Sequence, residues 1–219
     1  TLRQALATSN NIIAVKLLES ITVPVAVEYS RKVGLTPPAQ PGLSYALGTD
    51  EVTLHDLTRA YIPFAAEGQQ PNIRTMISIR NFNDSTYKEQ PVTKEQVIAP
   101  HVAYQVTDVL KDVLMYGTAK GLKRFQSAHP AAGKTGTTND YRDAWFIGYT
   151  PRLVTGVWVG YDQPRPGGRG FTGGAIAAPI WEQFMRGAVQ QYPAKNFVTP
   201  PPVPENPLLP KPLVPHFTS

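Results

Sequence analysis

Apolar side chains recur at helical spacing through residues 2–8 and 11–20, where Leu2 and Leu6, then Ile13, Leu17 and Leu18, share a face. Between them "TSNN" offers four side chains that compete for backbone hydrogen bonds, so the pattern predicts two helical pieces with a break. Short helices follow at about 24–33 and 53–67, the second stopped by Gly68. Ile73, Thr75, Ile77 and Ile79 then alternate with polar neighbours up to "NFNDS", and "TYKEQ" returns, which is a β-hairpin pattern. From His101 to Met115 the residues Val102, Val106, Val109, Leu110, Val113 and Leu114 form one helical face, closed by Gly117. Three strands are expected at about 132–138, 144–149 and 153–161, joined by turns too short for helical crossovers and therefore antiparallel. A last helix is expected over about 177–190, with Pro179 in its first turn and Ile176, Ile180 and Phe184 facing inward. Helices, then a hairpin, then an antiparallel meander closed by a helix, give an α+β chain.

Beyond Tyr192 the composition changes. "VTPPPVPENPLLPKPLVP" forms neither helix nor sheet, so 192–219 is expected to be an extended, polyproline-like tail on a body of 1–191. The 219 residues contain no run of eighteen apolar positions, so no membrane span is expected. Residues 1–20 lack the basic start and apolar stretch of a signal peptide. The chain opens without Met, directly in a helical pattern, and reads as part of something longer. It has no cysteine, which excludes disulfides and thiolate chemistry. A formal charge of +5 favours anionic surroundings, yet no basic run exceeds two residues, and nucleic acid is not expected as a partner. His55, His101, His129 and His216 lie far apart in sequence, so neither metal nor cofactor is expected. Trp145, Trp158 and Trp181 fall on strands or the closing helix and read as core.

Candidate chemistry concentrates in "AAGKTGTTND", residues 131–140. A phosphate-binding P-loop would need a glycine five places before Gly133, inside a strand–loop–helix unit, but position 128 is Ala128 and no buried strand precedes it. "RPGGRGFTGG" at 165–174 likewise lacks the strand–helix unit of a nucleotide fingerprint. The other reading is an edge strand that grips a peptide carboxylate. Alternation along such a strand puts Thr135 and Thr137 on one face, Lys134 adds positive charge, and Gly136 lets a substrate backbone lie close. Ser9 and Asn11 sit about 125 residues earlier, in the helix break, where their side chains would also suit simple capping.

Taken in order, "ALATSNNIIAVKLL", "YALGTDEVTLHDLTRAY", "YGTAKGL", "AAGKTGTTNDYRDAWFIGYTP", "VTGVWVGYD" and "GGAIAAPIWEQFM" resemble the transpeptidase domain of class A penicillin-binding proteins, over roughly residues 1–190. The resemblance implies the fold shared with serine β-lactamases, an antiparallel sheet covered by helices on both faces. It implies a peptidoglycan D,D-transpeptidase that joins D-alanyl-D-alanine stem peptides and is inhibited by β-lactams, acting at the extracytoplasmic face of the bacterial membrane. Carried over by residue, Ser9 relays a proton, Asn11 holds the substrate amide, Lys134 supplies charge, Thr135, Gly136, Thr137 and Thr138 line the carboxylate end, and the Thr137 N–H is half of the oxyanion hole.

The family's nucleophile motif Ser-x-x-Lys should precede Ser-x-Asn, whereas this chain matches it only at Ser85-Thr86-Tyr87-Lys88, in the expected hairpin turn. Ser85 is therefore expected to be a turn residue. The nucleophile and the first sheet strands are expected upstream, on a segment that becomes a partner of this one, and the chain alone should be inactive. The alternative in another class is a non-catalytic sensor that binds wall peptides or β-lactams.

Overall fold

A computed structural model of the chain describes residues 1–83, 86–193 and 195–201. Helix α1 (Leu2–Ala7) starts in a capping box, with Thr1 accepting from the Gln4 N–H. Helix α2 (Asn11–Ile21) is capped by Asn10, whose Oδ1 accepts from the Ile13 N–H at 3.1 Å. Helix α3 (Val23–Lys32) carries Pro24 in its first turn. In place of the single helix expected over 53–67, two form, α4 (Leu54–Ala60) and α5 (Ile62–Ala65). Pro63 has no N–H to bond back into the preceding turn, so the break falls just before it.

Four short strands follow: β1 (Gln69–Pro71), β2 (Ser78–Arg80), β3 (Thr86–Glu89) and β4 (Lys94–Gln96). The expected hairpin forms only at its end, as the antiparallel pair β2–β3 with a register shift at Ile79/Arg80; Ile73, Thr75 and Ile77 precede β2, and Ile73, Ile77 and Ile79 are exposed, so their alternation marks no buried face. Strands β1 and β4 also pair, although "QQP" and "KEQ" carry no apolar alternation by which sequence could announce it. Ser85 lies outside the described residues.

Helix α6 (Pro100–Met115) buries Ala103, Thr107, Leu110, Val113 and Leu114. Val102 of the expected face is exposed, and Thr107 lies inside instead because its hydroxyl is satisfied by the Phe64 carbonyl at 2.9 Å and the Tyr149 hydroxyl at 3.0 Å. After α7 (Lys123–Ala128) come β5 (Ala132–Thr137), β6 (Ala144–Tyr149) and β7 (Val154–Val159), an antiparallel meander with β5 and β7 at its edges. The chain then makes a π-helical turn, Gly173–Ala177, and enters α8 (Ala178–Gln191).

On α8 the expected inward face is corrected. Ile180 and Phe184 are exposed, while Ala178, Trp181, Met185 and Val189 are buried. The indole of Trp181 decides the rotation: it meets Phe125 and Phe146 edge-to-face at 5.2 and 5.3 Å and donates to the Gly148 carbonyl at 3.2 Å. Trp145 and Trp158 are not core residues of the same kind; they pair with each other at 6.2 Å on the opposite sheet face, and Trp158 is 38% exposed. With α7 and α8 on the Phe146 face and α4 against β7, helices cover both faces of the sheet.

Past α8 there is no helix or strand among the described residues, but Phe197 packs edge-to-face on Tyr149 at 5.8 Å and Thr199 reaches the Tyr104 hydroxyl at 3.1 Å. Most of the expected tail, 202–219, lies outside the described residues. Among the described residues no helix is long and apolar enough to cross a membrane.

Helix α1 is fixed to the body of the fold at both ends. Arg3 ties it to α6 through Asp108 at 2.7 Å and through Asp112. At its other end the Ala7 carbonyl accepts from the Thr118 N–H at 3.1 Å and passes so close to Gly117 that an added Cβ there would sit 2.2 Å from it. Gly117→Ala should therefore destabilise the fold by about 2–3 kcal/mol in urea unfolding, as overpacking against backbone does. Gly121→Ala, with open space around the new methyl, should stay within about 0.5 kcal/mol. Equal effects at the two positions would contradict this packing.

Candidate active site

The break between α1 and α2 has a defined shape. The Ser9 N–H bonds the Leu6 carbonyl at 3.2 Å and the Asn10 N–H bonds the Ala5 carbonyl at 2.8 Å, the paired bonds of a Schellman ending. Ser9 takes the left-handed position of that motif, with φ 57°, where glycine is the usual residue. A side chain there costs about 1 kcal/mol, and the observation points to a use for the hydroxyl.

That hydroxyl meets Lys134. The Lys134 Nζ donates to Ser9 Oγ at 2.8 Å and to the Thr135 carbonyl at 3.1 Å, joining residues 125 apart in sequence. Burial, with no carboxylate beside it among the described residues, lowers the Lys134 pKa to about 8. While Lys134 is an ammonium it can only donate, so Ser9 Oγ accepts from it and keeps its own proton for another partner.

The rest of the strand is arranged around this pair. Thr138 donates its N–H to the Asp143 carbonyl on the β6 side at 3.2 Å, so alternation turns the Thr137 N–H toward the open edge of β5. Thr135 and Thr137 share a face, as expected. Their hydroxyls are already engaged: Thr135 Oγ1 lies 2.6 Å from Thr118 Oγ1, and Thr137 Oγ1 accepts from the Gly173 N–H at 3.1 Å. Thr138 Oγ1 accepts from the N–H groups of Arg142 and Asp143 at 3.2 and 2.9 Å, which shapes the turn into β6. Gly136 leaves the strand surface flat beside Trp145. Asn11 is exposed at the first residue of α2, and among the described residues its carboxamide has no hydrogen-bond partner.

The structure thus brings Ser9 and Lys134 into direct contact, sets Thr135, Gly136 and Thr137 along the same edge, uses Thr138 in a turn, and leaves Asn11 nearby in sequence without a contact. Sequence reasoning does not single out Thr118 and assigns Gly173 no contact with the site. Their only signals are the short motifs "YGTAKGL" and "GGAIAAPIW", which say nothing of which side chain they touch. Among the described residues no group of three or more His, Asp or Glu is arranged to hold a metal.

A family model for the penicillin-binding protein transpeptidase domain matches residues 1–186. Penicillin-binding protein 1A of Neisseria lactamica is 39% identical over 206 residues, 91% of this chain and 26% of that protein. Penicillin-binding protein 1A of Aquifex aeolicus is 39% identical over 201 residues, 92% of this chain and 27% of its own length. The chain therefore spans about a quarter of the curated relatives it matches. Among solved structures, penicillin-binding protein 1A from Haemophilus influenzae superposes with a TM-score of 0.82 at 22% identity, covering 91% of this chain and 36% of that one. Penicillin-binding protein A from M. tuberculosis, solved as an imipenem acyl-enzyme complex, gives 0.69 at 21% identity over 87% of this chain and 48% of its own. These likenesses show the fold.

The lowered pKa of Lys134 has a measurable sign. Its folded value lies below the ordinary lysine value near 10.4, so the unfolded chain binds more protons between the two, and this site's contribution to stability rises with pH across about 8 to 10.4. In ¹³C-lysine NMR the Lys134 Cε resonance should titrate near pH 8, well before the exposed lysines. A Lys134 resonance that moves with the surface lysines would contradict the desolvated contact.

Proposed function

The chain belongs to the penicillin-binding protein transpeptidase family, and from that premise we propose that it contributes the proton relay and the carboxylate grip of a serine-type peptidoglycan D,D-transpeptidase. The observation that carries this reading is the 2.8 Å contact between Lys134 Nζ and Ser9 Oγ. It makes a hydroxyl and a cation from distant parts of the chain into one unit, beside an open strand edge.

In this reading a stem peptide lies along β5 with its terminal carboxylate near Thr135, Thr137 and Lys134, and Thr138 holds the turn that ends the grip. Asn11, exposed and unpartnered among the described residues, is free to hold the peptide amide through its two donors and one carbonyl. A serine hydroxyl from a Ser-x-x-Lys segment outside this chain attacks the D-alanyl carbonyl and loses its proton to that segment's lysine. The oxyanion that forms is held by the Thr137 N–H and the nucleophile's own N–H, each such donor being worth about 3 kcal/mol. Collapse breaks the C–N bond, and Ser9 passes its proton to the departing D-alanine nitrogen while taking up the one that the segment's lysine received from the nucleophile. The amine of a neighbouring stem peptide then takes the acyl group and frees the serine. A β-lactam enters the same path and stops at the acyl-enzyme. The donor and acceptor peptides place the reaction on the outer side of the cytoplasmic membrane, with any anchor supplied by the longer protein.

Intact-protein mass spectrometry with a penicillin tests the assignment. The chain alone should gain no adduct, and one adduct should form per complex once the Ser-x-x-Lys segment is supplied, carried on that segment. Ser85→Ala should change neither result. In the complete domain Lys134→Ala should slow acylation by roughly two decades, the loss of about 2–3 kcal/mol of charge-assisted binding. A stoichiometric adduct on the isolated chain that vanishes with Ser85→Ala would overturn the motif order. A complete domain that binds penicillin without ever forming an adduct would make it a sensor.

A further inference from the structure

We propose that Thr118, in the loop between α6 and α7, is a positioning residue that fixes the donor direction of Thr135 and so sets how strongly the site prefers acyl donors bearing a carboxylate. The inference rests on the transpeptidase reading and deepens it. Thr118 touches both sides of the site, α1 and β5. Its N–H holds the Ala7 carbonyl at 3.1 Å, the last carbonyl of the helix that presents Ser9, and its Oγ1 lies 2.6 Å from Thr135 Oγ1 on β5. Its carbonyl is pressed from the third side by the π-helical turn, where a Cβ on Gly174 would come within 2.1 Å of it. A surface loop residue bonded at its N–H and its hydroxyl and packed against the turn at its carbonyl has little freedom to be anything but a fixed point.

The consequence comes from counting protons. Each threonine hydroxyl has one proton to give, and in the 2.6 Å pair one hydroxyl must donate and the other accept. A carboxylate approaching Thr135 can only accept, so Thr135 must turn its proton outward and take one from Thr118 instead. Once an anion is bound, Thr118 therefore donates to Thr135 and supports it as a donor aimed at the anion, and the two-hydroxyl chain is polarised in one direction. Lys134 and Ser9 lie on the other side of the strand and receive nothing directly from Thr118. Losing the Thr118 hydroxyl should then weaken carboxylate recognition without slowing the acyl transfer itself.

The test uses the complete domain carrying its nucleophilic serine, with a penicillin and the methyl ester of the same penicillin as donors. Thr118→Val keeps the shape and removes the hydroxyl. It should lower the second-order acylation constant for the free acid about five- to tenfold, as loss of one hydrogen bond does, with the change in the binding constant and not in the acylation step. The ester should react as with the unsubstituted protein. Thr118→Ser should recover the free-acid rate to within about twofold, and Thr118→Ala should repeat the valine result if the branched side chain is poorly tolerated. A purely structural role would slow both donors together and lower the melting temperature, and that outcome, or no change with either donor, overturns the inference. If the unsubstituted domain is acylated by neither donor, the transpeptidase reading falls and takes this inference with it.

Discussion

A lysine that is desolvated and has no counter-ion among the described residues is the constraint around which this chain is arranged. Lys134 reaches from β5 into a site where its partners are the hydroxyl of Ser9 and the carbonyl of Thr135, both neutral. Two dipoles do not repay an ammonium for the water it has lost, so its pKa falls to about 8. A site built this way gains from an anion. A carboxylate at the strand edge would give Lys134 the charge partner it lacks and move its protonation back toward the ordinary value, so proton uptake and anion binding are linked in the same direction. The strained backbone at Ser9 belongs to the same arrangement, because glycine would relieve the strain and remove the partner.

Holding that contact requires two distant parts of the chain to be fixed to one another. Helix α1 is short and would not persist alone. It is stabilised from outside, by Arg3 bridging to α6 and by the Ala7 carbonyl bonding to Thr118. Strand β5 is held from the opposite side by β6 and by the π-helical turn, whose first N–H bonds Thr137. The loop at Gly117 and Thr118 is where the two supports meet, which is why glycine's missing side chain and threonine's hydroxyl both have structural consequences there.

Much of this frame is legible in the sequence because it follows periodicity. The break at "TSNN" comes from side chains that compete for backbone hydrogen bonds, and the span of α6 and the three-stranded meander come from the spacing of apolar residues, although Leu2, Leu6 and Leu17 of α1 and α2 are exposed. What sequence misplaces is decided by single tertiary fits. Helix α8 turns Trp181 inward and leaves Ile180 and Phe184 outside because one indole fills the gap between Phe125 and Phe146, and apolar spacing cannot rank a tryptophan above an isoleucine for that purpose. The pair β1–β4 joins polar segments whose alternation is invisible. At the site, motif order is enough to connect Ser9 with Lys134. Thr118 stays hidden because a lone threonine in a loop has no pattern, and its meaning lies wholly in what it touches.

The central claim is that Ser9 and Lys134 act as one unit, and a double-mutant cycle on penicillin acylation in the complete domain tests it most directly. If the contact carries proton relay and charge together, Ser9→Ala and Lys134→Ala each slow acylation, and the double variant is little worse than the more damaged single one, a coupling of about 1 kcal/mol or more. Penalties that add to within about 0.5 kcal/mol would mean that the two residues work independently, and the 2.8 Å contact would then be structural proximity without a shared task.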